Sequence, residues 1–186
     1  MRLQHGGFAV ALTLCFGALL AGCQSLLPKA SETTEVPWKT FEEARAAVEA
    51  IEPYRSRKST LISDGFNPFH NPSVTILSYP EIVQRFSAGN ALRRDEYDQG
   101  IRSCLVAGKA CSGYAIAVKR VKHDRIGNFW LDMLGFVRRT NITGWSFNAL
   151  ILFVDDEVVY TTYSGQPQMN EMQVRRNPLG PLQSIG

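Results

Sequence analysis

The spacing of hydrophobic residues changes along this chain, and that change does most to limit the folds open to it. In the first half, five of them recur at the three- or four-residue spacing of one helix face. After Gly113 they alternate with polar or small residues, which is typical of a half-buried strand. Helices followed by strands predict an α+β fold, with N-terminal helices packed on one face of a three-stranded antiparallel meander. The helix-spaced residues are Trp38, Phe41, Ala44, Val48 and Ile51.

Capping residues place the ends of the predicted helices. Thr40 and Glu43 form a capping-box pattern before the first helix, and Pro53 ends it. Ser78 and Glu81 form the same pattern before a later helix. Further predicted elements are a helical turn at 60–63, an extended piece at 74–77 and a helix at 99–107.

The last third of the chain predicts the strands of the meander. A first strand begins at Tyr114, and a second presents Trp145 and four further apolar residues up to Phe153 on one face. Asp155 and Asp156 form a candidate two-residue turn before a return strand at 158–163. The residues after Gly165 are interpreted as an extended tail.

The N-terminal residues have the pattern of an export signal. An uncharged apolar run at 8–20 follows Arg2 and is too short to cross a bilayer as a permanent helix. It leads into a Leu-Ala-Gly-Cys sequence at 20–23, which resembles a bacterial lipobox. We therefore expect a signal peptide at 1–22, acylation (palmitate) at Cys23, a flexible tether over 23–36 and a single α+β periplasmic domain over 37–186.

Charge and the residue after Cys23 limit the location and the partners. Lys and Arg exceed Asp and Glu by only three, and a nearly balanced, exported chain is a poor candidate for binding nucleic acid. Gln24, rather than Asp, follows Cys23. By resemblance to sorted lipoproteins, this favours the outer membrane, with the domain facing the periplasm.

The four cysteines have separable predicted roles. Cys15 leaves with the signal and Cys23 takes the lipid, so Cys104 and Cys111 remain in an oxidising compartment, where a disulfide is favoured. A metal site would need two more ligands, and a C-x-x-C redox motif is absent. A continuous helix would hold these two residues about 10 Å apart, so we expect the chain to turn near Gly108.

Two resemblances extend beyond single motifs. The first is carried by residues 125–132, 143–145, 158–160 and 177–183. These residues resemble a family of uncharacterised proteobacterial lipoproteins, a resemblance that covers most of the mature chain and implies no biochemical activity. The order of lipobox, tether, helix, short helix and meander is also similar to that of BamE/SmpA-like lipoproteins, which implies a small outer-membrane accessory protein that binds a partner and catalyses nothing.

Candidate catalytic residues are few. His70 and His123 are the histidines outside the signal, and we interpret both as surface or turn residues. Asp155, Asp156 and Glu157 are acidic, but a hairpin tip exposes them to water and leaves little cause for a shifted pKa. The chain has no G-x-S-x-G, H-E-x-x-H or phosphate-binding glycine motif. The sequence therefore predicts neither an enzyme nor a cofactor or metal site.

The connection at 126–139 is the candidate contact site. It is far longer than a hairpin needs and is rich in aromatic and aliphatic residues between arginines. These side chains could fill the core, or part of them could stay exposed for a membrane protein or a lipid surface. The predicted partner-binding residues are Phe129, Trp130, Met133, Phe136, Arg138 and Arg139.

These features support one leading hypothesis, a non-catalytic outer-membrane lipoprotein that acts by protein contact in cell-envelope assembly or maintenance. The alternative is a periplasmic carrier or sensor that binds a small apolar ligand between helices and sheet.

Overall fold

The computed structural model describes residues 27–33, 36–87 and 96–178. The predicted signal peptide at 1–22, the acylation site Cys23 and the last residues of the chain lie outside this part. Within it, the α-helices are α1 (Phe41–Glu49), α2 (Lys58–Leu61), α3 (Tyr79–Ser87), α4 (Gln99–Ala107) and α5 (Phe129–Met133). The strands are β1 (Lys29–Thr33), β2 (Val74–Leu77), β3 (Cys111–Ile126), β4 (Val137–Val154) and β5 (Glu157–Arg176).

The predicted fold class is wrong in two respects. The sheet has five antiparallel strands instead of three, in the order β1-β3-β4-β5, with β2 also paired to β3. The helices are not gathered at the N-terminus, because α3 and α4 lie between β2 and β3 in the chain and α5 lies between β3 and β4.

The physical reason for the error is that β1 and β2 carry almost no periodic signal. All five residues of β1 are exposed, and this strand occupies part of the segment predicted as a flexible tether. Strand β2 is only four residues long, and its partner is distant in sequence, with Val74 opposite Ile116 and Leu77 opposite Gly113. A strand without a buried face shows no alternation, and a distant partner is invisible to a local pattern.

The chain forms two compact units. The larger unit comprises Ser31–Lys122 and Thr143–Asn170, and the smaller unit contains the described parts of Met1–Ala30, His123–Ile142 and Glu171–Gly186.

In the larger unit, α1 packs its apolar face into the main core. The Thr40 side chain accepts a hydrogen bond from the Glu43 backbone N–H at 3.2 Å, as the capping pattern predicts. Phe41, on the buried face of α1, meets the ring of Phe147 from β4 edge-on at a centroid distance of 5.4 Å. The helix predicted from the spacing is therefore confirmed, and it supplies one wall of the core.

A second core cluster in the same unit involves α3, α4 and the strands beside them. The Ser78 hydroxyl and backbone N–H both donate to Glu81, and these bonds hold the pKa of the Glu81 carboxyl below its usual range. Gly100 lies where α4 meets β5, and a Cβ atom there would collide with the Val159 carbonyl. The cluster comprises Leu77, Ile82, Ile101, Cys104, Cys111, Leu152 and Val159.

The predicted disulfide is confirmed. Cys104 in α4 and Cys111 at the start of β3 are bonded, with their Cα atoms 4.9 Å apart. Gly108 follows α4 with a φ of 59°, so the chain turns where the sequence requires it to turn.

Reduction of this bond should lower the free energy of unfolding by about 2–3 kcal/mol without abolishing the fold, because the bond closes a short loop and both core clusters remain. Denaturant titration with and without reductant measures the change, and Cys104 and Cys111 should react with thiol reagents only after the protein has been reduced. Free Cys104 or Cys111 thiols in the folded protein, isolated without reductant, would contradict the prediction.

Candidate functional site

Helix α5 of the smaller unit is short and is fixed at both ends. The Asn128 side-chain oxygen accepts hydrogen bonds from the backbone N–H groups of Trp130 (2.9 Å) and Leu131 (3.3 Å). Just after the helix, Gly135 has a φ of 74°, a backbone conformation that favours glycine. The connection predicted from its apolar composition therefore contains a defined helical turn.

This turn presents apolar side chains to solvent. Trp130 is 48% exposed and Met133 is 58% exposed, and two leucines beside them are exposed to a similar extent. Phe129 and Phe136 are only partly buried, and Phe129 meets the Trp130 ring edge-on at 5.4 Å. We call the group Trp130, Leu131, Met133 and Leu134 the α5 surface. Its exposure fits the contact interpretation of this segment better than the core-filling one.

Replacing Trp130 by alanine should change the free energy of unfolding by less than about 1 kcal/mol, because half of the side chain already meets water. Thermal melting of the purified protein measures this effect. The matched control is Trp38→Ala, which empties a site that is 6% exposed in the main core and should cost about 3–5 kcal/mol. Equal losses for the two variants would show that Trp130 fills a core.

A buried carboxylate lies under the α5 surface. The Asp132 side chain is only 6% exposed, and its Oδ1 lies 3.2 Å from Arg125 Nη1 and 3.7 Å from Arg138 Nε. No hydrogen-bond donor of the described residues reaches its Oδ2. Arg138 Nε of the same cluster is likewise buried without a hydrogen-bond acceptor among the described residues. Buried polar atoms without partners are energetically costly, so the site holds one unsatisfied acceptor and one unsatisfied donor.

A small cavity of about 220 Å³ adjoins this carboxylate. Its walls combine apolar side chains with all three charged groups of the cluster: Leu27, Pro28, Arg125, Phe129, Asp132, Met133 and Arg138. Of the predicted contact residues, the structure thus brings Phe129, Met133 and Arg138 to one cavity, whereas Arg139 is exposed on β4. Sequence reasoning missed Asp132, although it is the single acid in an apolar segment bracketed by arginines.

The histidines and the turn acids occupy other places. The His70 ring contacts the Asn67 amide at 2.8 Å, and among the described residues neither His70 nor His123 has a hydrogen bond or ion pair to a carboxylate. The Asp156 carboxylate accepts hydrogen bonds from the backbone N–H and the hydroxyl of Ser59, each at 3.0 Å. Asp156 therefore joins the β4–β5 turn to the start of α2.

A second exposed surface, which sequence reasoning did not predict, runs along β5. This strand ends the sheet order, and its side chains are exposed on both faces from Thr162 to Gln168. Near its start the outer edge is covered. The Val158 N–H donates a hydrogen bond to the Ser56 carbonyl at 3.0 Å, and the Val158 carbonyl accepts one from the Tyr54 N–H at 2.6 Å. Further along, no described strand pairs with this edge.

The described ranges contain neither a metal-binding cluster of side chains nor a helix able to span a membrane. No group of three or more His, Cys, Asp or Glu side chains is arranged to hold a metal ion there. None of the helices in that part of the chain has the length and hydrophobicity needed to cross a bilayer. No protein-family model, curated protein or solved structure matches this chain.

Proposed function

We propose that this protein is a non-catalytic outer-membrane lipoprotein that faces the periplasm and acts by protein contact in cell-envelope assembly or maintenance. The lipobox-like residues 20–23 and Gln24 support the anchor and its location.

The observation that best supports binding to another protein is the unpaired edge of β5. An edge strand offers unpaired backbone N–H and C=O groups to any extended chain that approaches it. Proteins usually protect such edges with charged side chains or proline. Residues 161–170 contain no charge and one proline, Pro167, which removes a single backbone N–H donor. Strand addition is a common way to bind an extended segment of another protein, so we assign the contact to this edge.

The alternative of a small apolar ligand has less support. In the larger unit the side chains between α1 and the sheet fill the core, including Val48, Phe147 and Ile151. A cavity of about 380 Å³ does lie beside α1 and α2, but it is open and its walls include the charged residues Arg55, Arg57 and Asp64. Ligand pockets for apolar molecules are typically enclosed and mostly apolar.

Site-specific photocross-linking in living cells tests the edge. A photoreactive residue at Thr162 should give a discrete adduct with an envelope protein, whereas the same residue at Val106, which is 86% exposed on α4, should not. Adding Ser164→Lys should remove the adduct, because a lysine guards the edge. The control Gln99→Lys adds the same charge at an exposed α4 position and should leave the adduct unchanged.

Melting temperatures of both lysine variants should match that of the parent protein, since both positions are exposed. An adduct with the mass of two copies of this chain would mean that the edge pairs with itself and would overturn the proposed partner. Equal adducts at positions 162 and 106 would overturn the assignment to the edge.

A further inference from the structure

Only a short segment connects the proposed acylation site to the smaller unit. Leu27 is 4% exposed and lines the cavity beside Asp132, and the Pro28 carbonyl accepts a hydrogen bond from the Arg125 backbone at 3.4 Å. Only residues 24–26 separate Leu27 from Cys23. Even fully extended, four Cα–Cα steps reach about 14 Å. The α5 surface therefore belongs to a unit that a lipid on Cys23 would hold against the bilayer.

The chemistry of the α5 surface suits such a position. Tryptophan is enriched at the membrane–water interface, and exposed leucine and methionine side chains gain from entering the acyl boundary. Arg138 and Arg139 follow within a few residues and match anionic phosphates in charge. An interfacial aromatic residue, exposed aliphatic side chains and adjacent arginines together favour a lipid surface over a protein as the occupant.

The charged residues that line the cavity beside α5 indicate which lipid headgroup it would bind. The unsatisfied Asp132 Oδ2 calls for a hydrogen-bond donor, and a primary ammonium group carries three. The neighbouring Arg125 and Arg138 suit a phosphate, to which guanidinium groups bind in a fork. A phospholipid headgroup with both a phosphate and a primary ammonium fits this combination of charges.

We infer that the α5 surface and the cavity at Asp132 seat the smaller unit on the bilayer, on phospholipids whose headgroup carries a phosphate and a primary ammonium. This inference rests on the proposed anchor at Cys23. It gives the predicted partner-binding segment a lipid partner and leaves the edge of β5 for protein contact.

Depth-dependent fluorescence quenching tests the inference with the full acylated chain. Met133→Cys carries an environment-sensitive fluorophore, and the protein is reconstituted into vesicles of phosphatidylethanolamine and phosphatidylglycerol with brominated acyl chains. Emission from the fluorophore at position 133 should fall to about half or less of its value in the same vesicles without bromine, as for a side chain in the headgroup–acyl boundary. Val106→Cys, an exposed residue outside the α5 surface, serves as the reference and should keep its emission.

Headgroup exchange tests the cavity. With phosphatidylcholine in place of phosphatidylethanolamine, quenching at position 133 should weaken, because a quaternary ammonium has no N–H to donate. Arg138→Gln should weaken it in a salt-dependent manner, whereas Arg102→Gln, an exposed change on α4, should not.

Different results would contradict the proposed anchor and the proposed lipid contact. A chain without acyl groups by mass spectrometry overturns the proposed anchor and, with it, the reach on which the inference rests. An acylated chain that floats with vesicles but shows no quenching at position 133 overturns the inference alone. Equal quenching with both headgroups overturns the assignment of the ammonium to Asp132. A photoreactive group at position 133 that captures protein and no lipid in native membranes would replace the lipid by a protein partner.

Discussion

Phe147→Ala should destabilise the larger unit by about 3–5 kcal/mol, the usual loss when a fully buried phenylalanine is truncated. Phe147 has no exposed surface, and its ring contacts Phe41 at 5.4 Å and stacks on Tyr163 at 5.7 Å. Truncation would therefore remove contacts between α1, β4 and β5 at once and leave a cavity. For a chain of this size the melting temperature should fall by about 10 °C.

The neighbouring residue supplies the control for this experiment. Asn148 lies next in β4 and is exposed, because successive side chains of a strand point to opposite faces. Asn148→Ala should change the free energy of unfolding by less than about 0.5 kcal/mol. Comparable losses for the two variants, measured by denaturant titration, would show that the register of β4 against α1 is incorrect.

Cys23→Ser should abolish membrane attachment, which is the largest functional effect expected for any single change. Serine has no thiol to accept the lipid, so the precursor should stay unprocessed and incorporate no labelled palmitate. One acyl chain binds a membrane only marginally, whereas several anchor it almost irreversibly, so partial retention is not expected.

A second cysteine-to-serine change, upstream of Cys23, is the matched control for this experiment. Cys15→Ser lies within the predicted signal and should leave processing, palmitate labelling and outer-membrane fractionation unchanged. If Cys23→Ser still fractionated with outer membranes like the parent protein, the proposed anchor would be refuted.

The parts of the fold that the sequence predicted are those with a buried face or a local cap. Helix α1 follows from its spacing, and α4 agrees with the predicted range of 99–107. The disulfide was predicted from two cysteines expected in an oxidising compartment, with a glycine between them. Each of these signals is local, so a single sequence is enough to find it.

The missed parts lack such a signal for identifiable reasons. Strand β1 is exposed along its length. Strand β5 continues to Arg176, well past the predicted end at residue 163. The sequence did not reveal this extension, because both faces of the strand are exposed there and the residues show no apolar alternation. Asp132 is buried in a cluster with Arg125 and Arg138, which the fold brings to it from two different strands. Neither unpatterned strands nor a tertiary ion cluster can be derived from periodicity.

The disulfide between α4 and β3 also bears on the order of events during maturation. Four cysteines allow three sets of two disulfides, and the unprocessed chain has four. If the proposed signal carrying Cys15 is removed and Cys23 is acylated as proposed, Cys104 and Cys111 are the two cysteines of the sequence that still carry thiols. Acylation before oxidation would thus leave one possible pairing, so that an oxidant alone, without a disulfide isomerase, would suffice to produce the native bond.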